Sequence, residues 1–150
     1  MSQVHTGIKE ALVQAVVGAL SDMAFLDAIE AQPVAPPFPT SHVISVGFTK
    51  PVRGEIALYL PLDCKRTIVE NVHGQDWDSL SAAEIDDCLL ELGNIVAGNL
   101  LNAYCGRGTA HDISLPVLLF DDADLSCPGE RVDVTFDAEG HPLRALVCLE

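Results

Sequence analysis

The apolar residues of this chain repeat with two different periods, and this change of period constrains its fold more than any other feature. Residues 6–20 carry apolar side chains at helical spacing, which predicts an amphipathic first helix. Four prolines within 33–39 then end any regular element, and beyond them residues 42–49 and 55–60 alternate as two strands joined by a turn do. Residues 24–31 fit either an extension of the first helix or a short edge strand, and the pattern leaves both open.

Two further helices are predicted in the middle of the chain. The shorter one takes Asp63 as its N-cap and ends just before Gly74. The longer one begins directly after Ser81, because Ser81 and Glu84 have the spacing of a capping box, in which each side chain binds the other residue's backbone N–H. Gly106 marks the predicted end of this long helix.

Three strands are predicted after the long helix, at residues 113–120, 132–136 and 143–149. Helices and a strand pair, followed by a long helix and a strand meander, indicate an α+β fold. We expect a two-layer sandwich in which long helices pack on one face of a mainly antiparallel sheet. A chain of 150 residues has the length of one ordinary domain, so a single domain over residues 1–150 is expected.

Composition and charge exclude several classes of function. No apolar run approaches the length of a membrane span and the N-terminus carries no export signal, so a cytoplasmic protein without a membrane segment is expected. The formal net charge at pH 7 is -14, from 22 acidic and 8 basic side chains. Repulsion at this charge disfavours nucleic acid and anionic lipid, and it favours a protein partner.

The cysteines and histidines indicate neither a disulfide framework nor a metal centre. The five cysteines are scattered without a CxxC pair, and their number is odd, so reduced thiols are expected. The five histidines show no metal-ligand spacing. The sequence therefore predicts no metal site.

The long helix carries a polar stripe along one side. At about 100° per residue, Asp87, Glu91, Asn94 and Gly98 fall within an arc of about 60°. The apolar residues of this helix cluster on the opposite side; they are Ile85, Leu89, Leu92, Val96, Leu100 and Ala103. The polar stripe is therefore expected to face outward.

Several residues in or beside this stripe are poor helix formers. Gly93, Asn94, Gly98, Asn99 and Asn102 each favour a helix less than alanine does, glycine by about 1 kcal/mol. Packing does not account for these residues in the sequence, so we interpret the stripe as a functional surface. Glycines on an exposed helix face let another surface approach closely, and Glu91 and Asn94 then project furthest.

An acid and an amide one helical turn apart have a chemical use. The carboxamide of Asn94 can donate and accept hydrogen bonds at once, so it can hold a water molecule in a defined orientation. Phosphoryl transfer depends mainly on positioning and charge stabilisation, so one well-placed amide can suffice. Glu91 could bind a cationic group on the partner.

These residues resemble the signature of a known family. Asp87, Glu91, Asn94 and Pro116 match the pattern D/S-x3-E-x2-N-x21-P of the CheC, CheX and FliY chemotaxis phosphatases at every spacing. Four positions fixed over 30 residues are far more specific than a lone E-x-x-N. The order of helices and strands is similar to that of stand-alone CheX-like domains, which have the CheC-like sandwich.

The resemblance implies a function and a role for each residue. The helix would dock on a phosphorylated response-regulator receiver domain, such as that of CheY, and hydrolyse its aspartyl phosphate. Glu91 would pair with a receiver lysine and Asn94 would position the attacking water, which makes these two the catalytic residues. Asp87, Gly98 and Asn102 would contact the partner.

The resemblance also bears on Pro116, on cofactors and on assembly. Pro116 would shape a strand rather than take part in the chemistry. The family needs no metal of its own, because the Mg²⁺ belongs to the receiver. Only one intact motif occurs here, since Glu10 in the first helix is followed by Val13 where an asparagine would stand. A CheX-like homodimer is therefore expected, with residues 143–149 at its interface.

Two alternatives from other classes stay open. The same surface could bind a receiver without accelerating hydrolysis, as a non-catalytic adaptor would. It could also serve as a dimerisation module, in which the exposed glycines pack against a permanent partner.

Overall fold

In the computed structural model, the described residues are 2–34, 40, 42–106, 108, 110–119 and 129–150, with side chains described from residue 7 onward. The elements within these residues, in chain order, are helix α1 Ser2–Ala24, strands β1 Ala28–Ala31, β2 His42–Lys50 and β3 Gly54–Leu60, helix α2 Leu62–His73, a 3-10 turn Trp77–Ser79, helix α3 Ala82–Cys105, and strands β4 Asp112–Ile113, β5 Val117–Leu119, β6 Glu130–Ala138 and β7 His141–Leu149.

All described strand pairs are antiparallel and form one sheet. The order across the sheet is β1-β6-β7-β3-β2, and both β4 and β5 pair with the free edge of β2. Helix α1 packs over β1 and β6, whereas α3 packs over β2 and β5 and lies beside α1. The predicted α+β sandwich is therefore confirmed, and α3 lies above the edge of the sheet that β4 and β5 form.

The alternation in the strands separates a main core from the opposite sheet face. On β2, Ile44, Val46 and Phe48 are buried against the helices, as the alternating pattern requires. The opposite face carries a smaller apolar cluster that includes Tyr59, whose ring lies 4.8 Å from the Arg144 guanidinium. Among the described residues, the helices thus cover one face of the sheet.

The predicted boundaries of α3 are confirmed. The Ser81 Oγ accepts a hydrogen bond from the Glu84 backbone N–H at 3.1 Å, and the Glu84 carboxylate accepts one from the Ser81 N–H at 3.0 Å. The hydrogen bonds from the backbone and side chain of Ser81 lower the pKa of Glu84. Gly106 follows the helix with a φ of 91°, a conformation that favours glycine.

The predicted N-cap of α2 is wrong by two residues. The helix begins at Leu62 and its N-cap is Pro61, so Asp63 lies within the first turn. Proline stands well at a helix start because it lacks the N–H that would be unsatisfied there, and the Asp63 carboxylate is favoured in the first turn by the helix dipole. The predicted end is confirmed, since Gly74 is left-handed and its N–H donates to the Glu70 carbonyl at 2.8 Å.

The structure resolves one open alternative and corrects one predicted strand. Residues 24–31, which the pattern left open, contain the short edge strand β1. The single strand predicted over 113–120 is instead two short strands separated by residues 114–116, with residue 120 outside the described part. The break follows from Pro116, which has no N–H to donate to the ladder.

Strand β7 lies inside the sheet. It pairs with β3 on one side and with β6 on the other. Its backbone therefore has no free edge with which to extend the sheet into a second copy, and only its outer face could meet a partner. The homodimer stays a prediction.

The cysteines are only partly as predicted. Cys64, Cys88 and Cys105 are free thiols, and burial raises the pKa of Cys64 to about 12 and that of Cys88 to about 11, which disfavours the nucleophilic thiolate form of both. Cys148 is disulfide-bonded, which contradicts the expectation of a reduced thiol at that position. The even or odd number of cysteines does not tell which of them lie close together in space.

A buried lysine joins α2 to the start of β2. The Lys65 Nζ lies 2.6 Å from the His42 Nδ1 and 5.5 Å from the centroid of the Trp77 ring. Burial first, and then the charge of Lys65, lower the pKa of His42, while Asp86 opposes this effect. The folded protein therefore favours the neutral imidazole of His42.

This cluster predicts that acid destabilises the fold through His42. As the pH falls below 6.5, the ordinary pKa of histidine, the unfolded chain takes up the proton before the folded one does. Stability is thus expected to fall as the pH drops through this range, measured as the urea-derived free energy of unfolding at pH 7.5 and 5.5. The glutamine of the His42→Gln variant does not titrate, so this variant is expected to lose less free energy of unfolding between pH 7.5 and pH 5.5. An equal loss of unfolding free energy in the wild-type protein and the variant would contradict the role of His42.

Candidate functional site

The polar stripe of α3 is exposed, as predicted. Asp87, Glu91 and Asn94 are exposed and Gly98 is half-exposed; these four residues are called the α3 ridge from here on. On the opposite side, Leu89, Leu92, Val96 and Leu100 are buried in the main core, whereas Ala103 near the helix end is exposed, contrary to the prediction. The ridge is thus an outward surface above the edge of the sheet.

Glu91 and Asn94 are neighbours on this surface. Residues three apart on a helix lie on one face with their Cβ atoms about 5–6 Å apart. Within the described part of the chain, neither side chain makes a hydrogen bond or an ion pair. Both are therefore free to bind a partner, and one partner group can contact both.

The two glycines beside the ridge have different roles. A Cβ at Gly98 would meet no atom within 4 Å, so this glycine leaves open space on the ridge. A Cβ at Gly93 would lie 2.6 Å from the Ile44 Cγ2 and 3.2 Å from the Val46 Cγ2. The interpretation of Gly93 as a functional choice that packing does not explain is therefore wrong, because Gly93 lets α3 approach β2.

These contacts predict opposite stability changes at the two glycines. Gly93→Ala is expected to destabilise the protein by about 1–3 kcal/mol, since its methyl group would overlap the core. Gly98→Ala is expected to stabilise it by about 0.5–1 kcal/mol, since alanine favours the helix and has room there. Urea unfolding of both variants measures these changes. Equal changes of the same sign in the unfolding free energy of the two variants would contradict the different packing of Gly93 and Gly98.

The two asparagines near the end of α3 also differ. The Asn99 Nδ2 donates to the Ala15 carbonyl oxygen on α1 at 3.3 Å, so Asn99 joins two helices and is explained by packing. Asn102 is exposed and lines, together with Gln14 and Ala15, a cavity of about 300 Å³ between α1 and α3. Asn102 remains available to a partner but lies about 12 Å along the helix from Asn94.

Pro116 lies against the helix rather than on the ridge. A Cβ at Gly93 would lie 3.6 Å from the Pro116 Cβ, so the two residues are in packing range. Pro116 directly precedes β5 and is half-buried. The sequence spacing between Asn94 and Pro116 thus corresponds to a contact between α3 and the edge of the sheet.

Sequence reasoning missed the residue pair that fixes this edge. The Ser114 N–H donates to the Gly47 carbonyl at 2.8 Å, and the Ser114 Oγ accepts from the Gly47 N–H at 3.0 Å. A Cβ at Gly47 would lie 3.2 Å from that Oγ. A glycine inside a strand pattern often marks such a close approach, so Gly47 was the available signal.

The surface around the ridge is acidic. Helix α3 carries Glu84, Asp86, Asp87 and Glu91, and it contains no lysine or arginine. This concentration of carboxylates on one helix attracts a cationic surface and repels an anionic one.

The described residues contain no group of three or more His, Cys, Asp or Glu residues that could hold a metal ion. Among them there is also no helix long and apolar enough to cross a bilayer.

The fold is shared with solved structures of chemotaxis proteins. The chain resembles CheX from Desulfovibrio desulfuricans (20% identity, 95% of this chain and 99% of that one, TM-score 0.79). It also resembles a CheC-like superfamily protein from a Shewanella species (16% identity, 96% and 97%, TM-score 0.81). A third similar structure is the CheX–CheY–BeF3–Mg complex from Borrelia burgdorferi (21% identity, 95% and 97%, TM-score 0.73).

A comparison with models of protein families identifies the family of this chain. The model described as chemotaxis phosphatase CheX matches residues 43–139, well over half of the chain and all of α3. This chain belongs to the CheX family. No curated protein sequence matches it significantly.

Proposed function

We propose that this chain hydrolyses the aspartyl phosphate of a response-regulator receiver domain and that the α3 ridge carries out the chemistry. The observation that carries the proposal is the exposed Glu91 and Asn94 pair, without partners among the described residues, in a member of the CheX family. A similar structure is a complex of CheX with CheY, BeF3 and magnesium, which supports a receiver as the partner.

Asn94 would position the attacking water. Its carboxamide can accept a hydrogen bond from the water and donate one to a phosphoryl oxygen, which holds the water in line with the bond that breaks. The water oxygen bonds to phosphorus as the bond between phosphorus and the aspartate oxygen breaks. The products are inorganic phosphate and the receiver's free carboxylate, so no covalent intermediate with this chain is required.

Glu91 would hold the receiver in register. A carboxylate three residues before Asn94 can bind the receiver's lysine while the amide reaches the phosphoryl group. Asp87 and Gly98 lie along the same ridge and would contact the receiver around this point. Asn102, about two turns beyond Asn94, would contact its rim.

The remaining parts of the proposal concern cofactors, assembly and location. We propose that this chain supplies no metal of its own and that the Mg²⁺ belongs to the receiver, where it neutralises charge on the phosphoryl oxygens. A homodimer and a cytoplasmic location are proposed as well. A cytoplasmic location fits a partner that is itself an intracellular signalling domain.

A screen of phosphorylated receivers tests the proposed function and identifies the partner together. Each receiver of the same cell is phosphorylated, and its loss of phosphate is followed with and without this protein. At least one receiver is expected to lose phosphate faster. A receiver that binds while its decay is unchanged would indicate the non-catalytic adaptor instead, and no acceleration of any receiver would refute the phosphatase.

A further inference from the structure

We infer that Leu115 is an apolar anchor for the receiver domain, displayed beside the α3 ridge so that one partner contacts both. The inference rests on the proposed function and adds a second part to its docking surface. Leu115 is 86% exposed, the most of any large apolar residue in the described part of the chain, and Val117 is 52% exposed. Single exposed leucines are common, but here a second exposed apolar residue stands only two positions further along the chain, and grouped exposed apolar residues are typical of a contact surface.

The backbone on both sides of Leu115 is held in place. On one side, Ser114 exchanges hydrogen bonds of 2.8 and 3.0 Å with the backbone of Gly47. On the other side, Pro116 packs against Gly93, within 3.6 Å of where a Cβ would stand. Leu115 is therefore presented at a fixed position, and ordering it on binding costs little conformational entropy.

Leu115 lies on the same side of the sheet edge as Asn94, close enough for one partner to reach both residues. Because Pro116 contacts Gly93 and chain neighbours are 3.8 Å apart, the Cα atoms of Leu115 and Asn94 lie within roughly 14 Å. Asn94 directly follows Gly93, the residue that faces Pro116, and is rotated from it by about 100° around the helix. A standard interface of about 800 Å² per partner covers both residues.

The charge around Leu115 selects the partner. The neighbouring α3 ridge carries Asp87 and Glu91, and Asp112 on β4 adds another exposed carboxylate. These carboxylates would repel an anionic membrane. A receiver offers the cationic group that Glu91 is proposed to bind, so we assign the apolar anchor to the same receiver.

Removing the anchor is expected to weaken binding without slowing the chemistry. The measurement is the Kd of the full chain for the receiver found in the screen, loaded with Mg²⁺ and the phosphate analogue beryllofluoride, together with kcat on the phosphorylated receiver. Leu115→Ala is expected to raise the Kd by about fivefold or more, while kcat stays within about twofold. Ile29→Ala is the matched control, because Ile29 is 65% exposed on β1 at the opposite edge of the sheet, and its Kd is expected to be unchanged.

The outcomes separate this inference from the proposed function. If the wild-type protein binds and hydrolyses, and Leu115→Ala and Leu115→Asp keep the wild-type Kd, the anchor is refuted and the phosphatase stands. A drop in kcat with an unchanged Kd would also overturn the anchor. If the wild-type protein neither binds nor hydrolyses any phosphorylated receiver, both proposals fail.

Discussion

An Asn94→Ala variant is expected to bind the receiver and yet hydrolyse its phosphate no faster than the receiver does alone. Asn94 is exposed and makes no hydrogen bond within the described residues, so its removal leaves the fold intact. The variant lacks the group that we propose orients the water, and removal of one positioned hydrogen-bonding group costs about a hundredfold or more in kcat. Single-turnover decay of the phosphorylated receiver, at saturating concentrations of the variant, measures this loss.

Asn102→Ala is the matched control for this prediction. It truncates the same amide on the same helix, but at a position about 12 Å from Asn94. Its kcat is expected to remain that of the wild-type protein, with at most a small rise in KM. Equal losses of kcat in the two variants would show that the helix surface as a whole, and not the Asn94 amide, is responsible.

The second large effect is expected from Glu91→Ala, and it concerns binding rather than the chemical step. Truncating one member of a charge pair at an interface leaves the partner's charge unsatisfied, which we expect to raise the Kd about tenfold to a hundredfold. The salt dependence of binding should also become weaker, because one attractive pair has been removed. The Kd for the beryllofluoride-loaded receiver, measured at low and high salt, tests both expectations.

Glu10→Ala provides the control for charge. Glu10 is an exposed glutamate on α1, where no asparagine follows three residues later, and its removal changes the net charge by the same amount. Its Kd is expected to stay close to that of the wild-type protein. A similar weakening in both variants would mean that the overall negative charge, rather than a specific pair at Glu91, drives association.

The sequence predicted the features that depend on local structure. The capping box of Ser81 and Glu84 fixed the start of α3, because both hydrogen bonds join residues three apart. The angular spacing of Asp87, Glu91 and Asn94 predicted an exposed ridge, because the apolar residues of the same helix must face the core. The α+β class followed from alternating and helical segments for the same reason.

Features that depend on contacts across the fold were not predicted. Gly93 and Gly98 are alike in sequence, and only the approach of Ile44 on β2 shows that the first is a packing glycine. A signal existed, since Gly93 stands four residues after Leu89 and therefore on the buried side of the helix. The contact of Ser114 with Gly47, which is 67 residues earlier in the chain, was not predicted either, because periodicity does not report such a contact.

The disulfide at Cys148 was not predicted for the same reason: it depends on a contact across the fold. Cysteine spacing predicts a bridge only in the short frameworks where spacing follows a known pattern. Here the bonded residue lies on β7, and its sequence neighbours carry no signal. The N-cap of α2 was mispredicted for a different reason, because the residue that takes this position, Pro61, is only two residues from Asp63. Proline is well suited to a helix start, and the capping preference of aspartate did not decide the position here.

A structure of this chain with its receiver, loaded with Mg²⁺ and beryllofluoride, tests the central claim most directly. The distance to measure joins the Asn94 carboxamide to the water, or the water site, in line with the beryllium. We expect a hydrogen-bonding distance of about 3 Å, with Glu91 beside the receiver's lysine. A receiver seated on another face of the chain, with Asn94 still in solvent, would contradict the proposed mechanism.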